Sequence, residues 1–254
     1  TWNQCSRRIS SLRAWNQRDG GPPCSQTESR NSPVHRLQSS FSLLLDDITT
    51  LRVDGIVNAS NLQFRKGGGV NGLIHRKAGP AMEDACQTEA ARLKMFKVRQ
   101  CRSPSEDLLS NLPNPCEKNE SEIKGGDATD CKKDGENDAE IQVGDCIATA
   151  GYNLPCKYVI HTVSPSHFTL KSLEICYQNV LSLVRTMQLN SIAFCNIGCG
   201  SHFINAREGA EIAVDACIQW LLEGQNQELN LRIIFCCWEE ADLILYRDVM
   251  LKKL

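Results

Sequence analysis

The chain has 254 residues and a formal net charge of -2; 41% of its residues are hydrophobic and 23% are charged. These proportions exclude collagen, a continuous coiled coil and a wholly disordered chain. The near-neutral charge gives no general attraction to nucleic acid or to an anionic membrane, and no apolar run reaches the ~18 residues that a membrane span needs. Several of the 14 cysteines stand singly inside apolar runs, so we interpret them as reduced core residues of an intracellular protein.

Residues 1–40 differ in composition from the rest of the chain. They contain six arginines against Asp19 and Glu28, with many serine, asparagine and glutamine residues. Apolar residues at helical spacing alternate there with arginines, a pattern that resembles an organelle transit peptide. We therefore predict a basic extension that is either disordered or a targeting segment. The expected location is the cytoplasm or nucleus, or the mitochondrion if the extension directs import.

A second change in composition covers about residues 96–142. Between Glu117 and Glu140 the chain has nine acidic residues and four lysines, and Ile123 is its one large aliphatic residue. Such a stretch buries too little apolar surface to offset the loss of chain entropy on folding. We predict a disordered acidic insertion within a single domain that runs from residue 41 to residue 254.

Short apolar segments alternate with amphipathic segments along the rest of the chain. The predicted strands are Phe41–Leu45, Val53–Ala59, Tyr158–Val163, Ser191–Ile197 and Leu231–Trp238. The predicted helices are Val70–Leu93, Ser172–Leu189 and Ala206–Glu223. This alternation indicates crossover units on a mostly parallel sheet that helices cover on both faces.

Three successive glycines, Gly67, Gly68 and Gly69, follow the second predicted strand and open the first predicted helix. Glycines at a helix start let backbone N–H groups approach a ligand, and a helix N-terminus favours an anion, so the loop predicts a phosphate site. Gly67, Gly69 and Gly72 also match the dinucleotide fingerprint, which leaves a nicotinamide-dependent oxidoreductase as a remote alternative. That fingerprint should follow its strand directly, and here nine residues separate Val57 from Gly67.

Further motifs lie around the glycine loop in a fixed order. They are Asp47–Thr49, Val57–Asn61, His75-Arg76, Ala78–Pro80, Gly151–Pro155, Tyr158–Val163, Ser191–Phe194 and Tyr246-Arg247. Together with the loop they resemble macrodomains, the ADP-ribose-binding domains, and most closely the MacroD-type mono-ADP-ribosyl hydrolases. The resemblance covers about residues 41–93 and 144–254, and it implies a three-layer α/β/α macrodomain with a mixed central sheet.

The resemblance implies a role for several residues. Asp47 matches the acid that accepts a hydrogen bond from the adenine amino group, Ile48 packs near that ring, and Trp238 matches the aromatic that stacks on it. Asn61 matches an asparagine that hydrogen-bonds the distal ribose. The turn-forming tendency of asparagine predicts that Asn58 serves the backbone of its own loop. The remaining expected contacts are backbone N–H groups of Gly68, Gly69 and Val70.

Two departures from the MacroD-type pattern bear on catalysis and binding. The family has an aspartate where this chain has Asn71, and an amide cannot act as a general base. The second phosphate loop of the family is altered to Gly198, Cys199, Gly200, Ser201 and His202. Its backbone can still bind an anion, because anion binding needs N–H groups more than side chains.

Two histidines, His75 and His161, raise the hypothesis of a cysteine hydrolase with Cys199 as nucleophile. The position of His161 within a predicted strand instead indicates a hydrogen-bonded core residue. The residues require no metal and no cofactor for the reaction that the resemblance implies.

Two functions remain open at this point. The first is an enzyme that hydrolyses mono-ADP-ribose from acidic side chains or deacetylates O-acetyl-ADP-ribose, with activity reduced by Asn71. The second is a reader that binds ADP-ribose, free or on mono-ADP-ribosylated proteins, without cleaving it. The expected partners are therefore ADP-ribose, O-acetyl-ADP-ribose and mono-ADP-ribosylated proteins, with no membrane and no nucleic acid.

Overall fold

A computed structural model describes residues 33–101, 140–165, 170–198 and 205–254 of the chain. Most of the basic extension and of the acidic insertion lies outside these residues, as do Cys199, Gly200, Ser201 and His202. The predictions for those segments are therefore not addressed by the structure. Within the described residues, no helix is both long enough and apolar enough to cross a membrane.

A six-stranded mixed sheet forms the centre of the fold, in the order β1-β6-β5-β2-β4-β3. Its strands are β1 (Phe41–Leu45), β2 (Gly55–Ser60), β3 (Cys146–Ala150), β4 (Tyr158–Val163), β5 (Ser191–Phe194) and β6 (Arg232–Cys237). β3 runs antiparallel to β4, and every other pair of neighbouring strands is parallel. The mixed sheet agrees with the predicted fold class. β3 was not predicted, because a single edge strand of five residues carries little periodicity.

Six α-helices accompany the sheet in the described residues. They are α1 (Pro33–Ser40), α2 (Gly69–Ala78), α3 (Ala81–Cys101), α4 (Leu170–Thr186), α5 (Ala206–Leu222) and α6 (Glu240–Lys253). The prediction of one helix over Val70–Leu93 is wrong, because the chain turns between α2 and α3. Gly79 caps α2 with a φ of 93°, which favours glycine, and Pro80 cannot continue a helix.

The last eight residues of the predicted extension form α1. Gln38 Nε2 donates to the backbone oxygen of Leu254 at 2.7 Å, and Arg36 Nη2 donates to the oxygen of Leu229 at 3.4 Å. Pro33 starts this helix, where its missing N–H leaves no helical hydrogen bond unmade. The domain therefore includes part of the segment that the sequence analysis places outside it.

Among the described residues, those from 33 to 90 and from 142 onward belong to the main compact unit, and residues 91–101 and 140–141 belong to a second unit. Aromatic side chains fill the core of the main unit beside the sheet. Ring centroids lie 5.0 Å apart for Tyr177 and Phe194, and 4.9 Å apart for Phe235 and Tyr246. Eight cysteines of the described residues are free thiols and seven of these are buried, in agreement with their interpretation as core residues.

Candidate functional site

A cavity of about 660 Å³ lies where β1, β5 and β6 end and α2 begins. Its lining residues are Asp46, Asp47, Ile48, Gly69, Val70, Leu73, Arg76, Cys195, Asn196, Cys236, Trp238, Glu239 and Asp242. The strands that reach it are parallel, so their carboxyl ends meet at one edge of the sheet. Open α/β sheets bind ligands at this edge, which makes the cavity the candidate site.

The start of α2 presents backbone to this cavity. The N-cap residue is Gly68, so no side chain caps the helix, and the first turn contains no acidic residue. An added Cβ on Gly68 or Gly69 would meet nothing within 4 Å, so both glycines face open space. The first N–H groups of a helix have no partner within it, and they carry a partial positive charge. This helix start can therefore accept an anion.

Gly67 and Gly72 serve a different purpose in the same loop. A Cβ on Gly72 would lie 2.3 Å from the backbone oxygen of Gly67, which real structures do not tolerate. A Cβ on Gly67 would lie 3.0 Å from Asn71 Nδ2. These two glycines let the loop pack closely against α2, and neither lines the cavity. The sequence analysis includes Gly67 in the predicted phosphate site, but in the structure Gly67 serves the packing of the loop.

Asn61 holds the loop between β2 and α2 through its own side chain. Its Oδ1 accepts hydrogen bonds from the backbone N–H groups of Gln63 at 3.2 Å and Arg65 at 3.1 Å, and its Nδ2 donates to the oxygen of Arg65 at 2.9 Å. Asn61 does not line the cavity. Its polar atoms therefore already serve the loop backbone, the role that the sequence analysis gives to Asn58.

Asn58 and Asn71 lie beneath the loop and are buried. Asn58 Nδ2 donates to Asn71 Oδ1 at 3.0 Å, and Asn71 Nδ2 donates to the oxygen of Arg65 at 3.0 Å. The prediction that Asn58 binds the backbone of its loop is wrong, because its Nδ2 is hydrogen-bonded to the side chains of Asn71 and His161. Asn71, at the position of the family aspartate, faces the protein interior and not the cavity.

The buried amides continue into a cluster of imidazole and thiol groups. His161 Nδ1 lies 2.9 Å from Asn58 Nδ2, and because an amide nitrogen can only donate, Nδ1 accepts and Nε2 carries the proton. Nε2 then donates to Thr149 Oγ1 at 2.9 Å. Burial lowers the pKa of His161 to about 3, so the ring is neutral. The prediction that His161 is a hydrogen-bonded core residue is confirmed.

His75, Cys86 and His161 have ligand atoms within 4.8 Å of one another, a spacing that can suit a metal ion. His75 Nδ1, however, contacts Glu83 Oε2 at 3.0 Å, and both ring nitrogens of His161 already have hydrogen-bond partners. Burial raises the pKa of the Cys86 thiol to about 12, which makes it a poor nucleophile at neutral pH. We interpret the cluster as a buried core that supports the loop above it, in which His75 Nε2 has no hydrogen-bond partner among the described residues.

Asp47 lies at the edge of the cavity and caps the short 3-10 helix Ile48–Thr50. Its Oδ1 accepts from the N–H of Thr49 at 2.9 Å, and its Oδ2 contacts Lys77 Nζ at 3.1 Å. Although burial acts to raise the pKa of Asp47, the hydrogen bonds from Thr49 and Lys77 outweigh it and lower the pKa. Asp47 is thus a carboxylate that lines the cavity, next to buried Ile48.

Trp238 follows β6 and is the most exposed of the large apolar side chains in the described residues, at 68%. It lines the same cavity as the glycine helix start. An exposed indole next to a concave site offers a π-face on which a planar ring can stack. The cavity therefore combines an anion-accepting helix start, an aromatic face and a carboxylate.

Comparison with known proteins identifies the fold family of this site. The sequence model described as Macro domain matches residues 57–102 and 125–213, more than half of the chain. The chain belongs to the macrodomain family. The ADP-ribose glycohydrolase MACROD2 of Mus musculus is 35% identical to it over 222 residues, which are 84% of this chain and 36% of MACROD2.

Two further relatives span more of their own length. The O-acetyl-ADP-ribose deacetylase of Salmonella newport is 29% identical over 222 residues, which cover 85% of this chain and 97% of the deacetylase. The crystal structure of a Trypanosoma brucei macrodomain in complex with ADP-ribose has a TM-score of 0.62 and 26% identity, covering 86% of this chain and 72% of that one. In contrast, this chain spans about a third of MACROD2.

The macrodomain assignment also explains why the dinucleotide fingerprint of the loop is misleading. In a dinucleotide-binding fold, the acidic residue about 20 positions after the glycines ends a second strand. Here the corresponding residue, Glu89, lies within α3. The nicotinamide-dependent oxidoreductase is therefore not supported.

The second loop of this macrodomain begins at Gly198, which is buried and has a φ of 75°. Asn205 resumes the described chain as the N-cap of α5, where its Oδ1 accepts from the N–H of Arg207 at 3.0 Å. The predicted contacts from Cys199, Gly200, Ser201 and His202 stay predictions.

Several residues of the cavity were missed by the sequence analysis, above all Asn196, Glu239 and Asp242. Asn196 Nδ2 donates to Asp242 Oδ2 at 2.7 Å. Burial and the neighbouring Glu239 raise the pKa of Asp242, while Asn196 opposes this. The sequence could have indicated these residues by their position, because polar residues that come soon after β5 and β6 fall at the ligand-binding edge of the sheet.

Proposed function

We propose that this chain binds ADP-ribose, free or attached to protein, in the cavity at the carboxyl ends of β1, β5 and β6. The observation that carries the proposal is the start of α2, where Gly69 and Val70 line the cavity and neither Gly68 nor Gly69 has a side chain to obstruct the backbone N–H groups. A diphosphate is the anionic part of ADP-ribose and matches this helix start. The relatives named for ADP-ribose and the ADP-ribose-bound macrodomain structure support the choice of ligand.

The other lining residues suit the rest of the ligand. Adenine can stack on the exposed face of Trp238, and its amino group can donate to the carboxylate of Asp47. Oδ2 of Asp47 contacts Lys77, but a carboxylate oxygen has more than one lone pair and can accept a further hydrogen bond. In this arrangement Asn61 acts through the shape of the loop that it holds.

Calorimetric titration with ADP-ribose tests the proposal, and a matched pair of glycine variants locates the site. Gly69 has a φ of 52° and Gly224 a φ of 41°, and an added Cβ at either position meets nothing within 4 Å. Gly69→Val and Gly224→Val therefore impose similar backbone strain, but only Gly69 lines the cavity. We expect Gly69→Val to weaken binding at least about tenfold and Gly224→Val to leave it unchanged. Absence of binding by the wild-type chain, or equal effects of both variants, would contradict the proposal.

A second candidate function is hydrolysis of the bound group, which the names of the glycohydrolase and deacetylase relatives favour. The reaction would remove mono-ADP-ribose from an acidic side chain, or acetate from O-acetyl-ADP-ribose, with water as the attacking group. Asn71 cannot supply the base, since an amide does not take up a proton and its polar atoms face Arg65 and Asn58. A phosphate of the substrate can accept the proton in its place, and we expect turnover to be slow.

One assay distinguishes hydrolysis of the bound group from binding without cleavage. The chain is incubated with a protein that is mono-ADP-ribosylated on acidic residues, and in parallel with O-acetyl-ADP-ribose, and released ADP-ribose is measured. Release that Gly69→Val abolishes and Gly224→Val preserves would assign the hydrolysis to the cavity. Binding of the modified protein without release, reversed by free ADP-ribose, would assign a reader.

A further inference from the structure

The cavity is chemically divided, because two helices begin at it with opposite chemistry. The first turn of α2 contains no acidic residue, and its N-cap is Gly68. The N-cap of α6 is Glu239, and its first turn contains Glu240 and Asp242. Carboxylates at a helix N-terminus offset the partial positive charge of the helix dipole. Of the two helix starts, that of α2 therefore accepts an anion and that of α6 repels one.

The charges around the cavity extend this division. Four carboxylates line it, those of Asp46, Asp47, Glu239 and Asp242, against the single guanidinium of Arg76. Lys77 forms an ion pair with Asp47 at 3.1 Å. In the described parts of the chain, the other three carboxylates form no ion pair. Asp46 instead accepts a hydrogen bond from the N–H of Asp47 at 2.8 Å, and Asp242 accepts one from Asn196 at 2.7 Å.

The position of Trp238 connects this negative region with the ligand. Trp238 immediately precedes Glu239, so an adenine stacked on the indole lies next to the start of α6. With the diphosphate at the start of α2 and the adenine at Trp238, the adenosine ribose lies between them, in the cavity that Glu239 and Asp242 also line. In dinucleotide-binding folds an acidic residue beside the adenosine ribose accepts from its free 2′-hydroxyl, whereas sites that take a 2′-phosphate use arginine, and the same chemistry applies to carboxylates beside the ribose here.

We propose that Glu239 and Asp242 make the cavity selective for ADP-ribose with an unphosphorylated adenosine ribose, and that the cavity rejects ADP-ribose 2′-phosphate. This inference rests on the proposed function. The added phosphate carries up to two negative charges, and its repulsion from carboxylates that line the same cavity is only partly screened in a concave site. The expected penalty is about tenfold in affinity, and it decreases as the salt concentration rises.

Calorimetric titration of the full chain with ADP-ribose and with ADP-ribose 2′-phosphate, at low and at high salt, tests the inference. The double variant Glu239→Gln, Asp242→Asn removes both charges, and the amide introduced at position 242 keeps a side-chain oxygen that can accept from Asn196. Glu240→Gln is the matched control, because Glu240 lies in the same first turn but does not line the cavity. We expect the ratio of the two affinities to fall from about ten toward one in the double variant and to stay near ten in the control.

The outcomes distinguish this inference from the proposed function. Equal affinities of the wild-type chain for both ligands, or an unchanged ratio in the double variant, would overturn the selectivity and leave ADP-ribose binding standing. Binding of neither ligand would overturn both. If the double variant does not fold, Glu239→Gln alone serves, because Glu239 is exposed and its change should not disturb the core. Glu239→Gln should lower the ratio of the two affinities about threefold, and an unchanged ratio would again count against the inference.

Discussion

The two sides of the glycine loop differ in what they contribute to the site. The outer side consists of the exposed backbone of Gly68 and Gly69, of which Gly69 lines the cavity. The inner side rests on buried side chains, the amides of Asn58 and Asn71 and the ring of His161, which form a continuous set of hydrogen bonds. The outer side can bind, while the inner side fixes the shape that binding needs.

This contrast predicts how substitutions should behave. A change on the inner side should lower the stability of the fold together with ligand binding, because a preorganised loop depends on its buried support. A change on the outer side should weaken binding and leave the stability of the fold unchanged. Measurements of both properties on the same variants can confirm this separation or abolish it.

The largest effect is expected for Gly72→Ala on the inner side. The new Cβ would lie 2.3 Å from the backbone oxygen of Gly67, so the loop must move away from α2. Such overpacking should lower the free energy of unfolding by about 2–3 kcal/mol and reduce ADP-ribose binding below detection. Urea unfolding and calorimetry measure the two effects. Gly68→Ala is the control for stability, since its Cβ meets open space, and an equal loss of stability in the two variants would refute the packing argument.

The buried imidazoles predict a pH dependence of stability. Burial lowers the pKa of both His75 and His161 below the ordinary value, for His161 to about 3. In the unfolded chain these rings take up protons near pH 6.5, whereas His161 in the folded chain takes one up only near pH 3. The contribution of these neutral rings to the free energy of unfolding is therefore fully present above pH 6.5 and is lost as the pH falls toward 3.

The expected slope for His161 alone approaches about 1.4 kcal/mol per pH unit below pH 6. Urea unfolding of the wild-type chain between pH 7 and pH 4.5 measures it, in a range above the titration of most carboxyl groups. His161→Gln, which keeps a polar side chain, should be less stable at pH 7 and show a smaller slope. A wild-type stability that does not change over this range would contradict the assignment of a neutral buried ring.

Asn71→Asp restores the acid of the MacroD-type pattern at an inner position. The carboxylate would replace the Nδ2 that donates to the oxygen of Arg65, which sets two acceptors 3.0 Å apart. The free energy of unfolding at pH 7 should fall by about 1–3 kcal/mol, with no gain in hydrolysis. Asn61→Asp loses a hydrogen bond to the same oxygen, but Asn61 is partly exposed, so its cost should be smaller. A gain in turnover without loss of stability would show that residue 71 reaches the substrate.

The fold and the glycine loop could largely be predicted from sequence, because strand patterns and helix starts are local properties. The roles of Asn58, Asn61 and Asn71 could not. Which asparagine faces inward depends on the path of the loop, and buried Phe64, with a φ of 50°, helps to set that path. The cavity wall formed by Asn196 and Asp242 was also missed, since these residues are 46 positions apart and meet only in the folded sheet.

The smallest effect is expected for Trp238→Ala, which tests the outer side. The indole is 68% exposed, so its removal should leave the free energy of unfolding within about 0.5 kcal/mol of the wild-type value. Stacking of a base on an aromatic side chain contributes about 1–3 kcal/mol, so ADP-ribose should bind about tenfold more weakly. Trp238→Phe keeps an aromatic face and should restore most of this loss, whereas ribose 5-phosphate, which has no base, should bind all three chains alike. If Trp238→Ala instead lowered stability as much as Asn71→Asp, the tryptophan would belong to the support of the fold, and the separation between the two sides of the site would be lost.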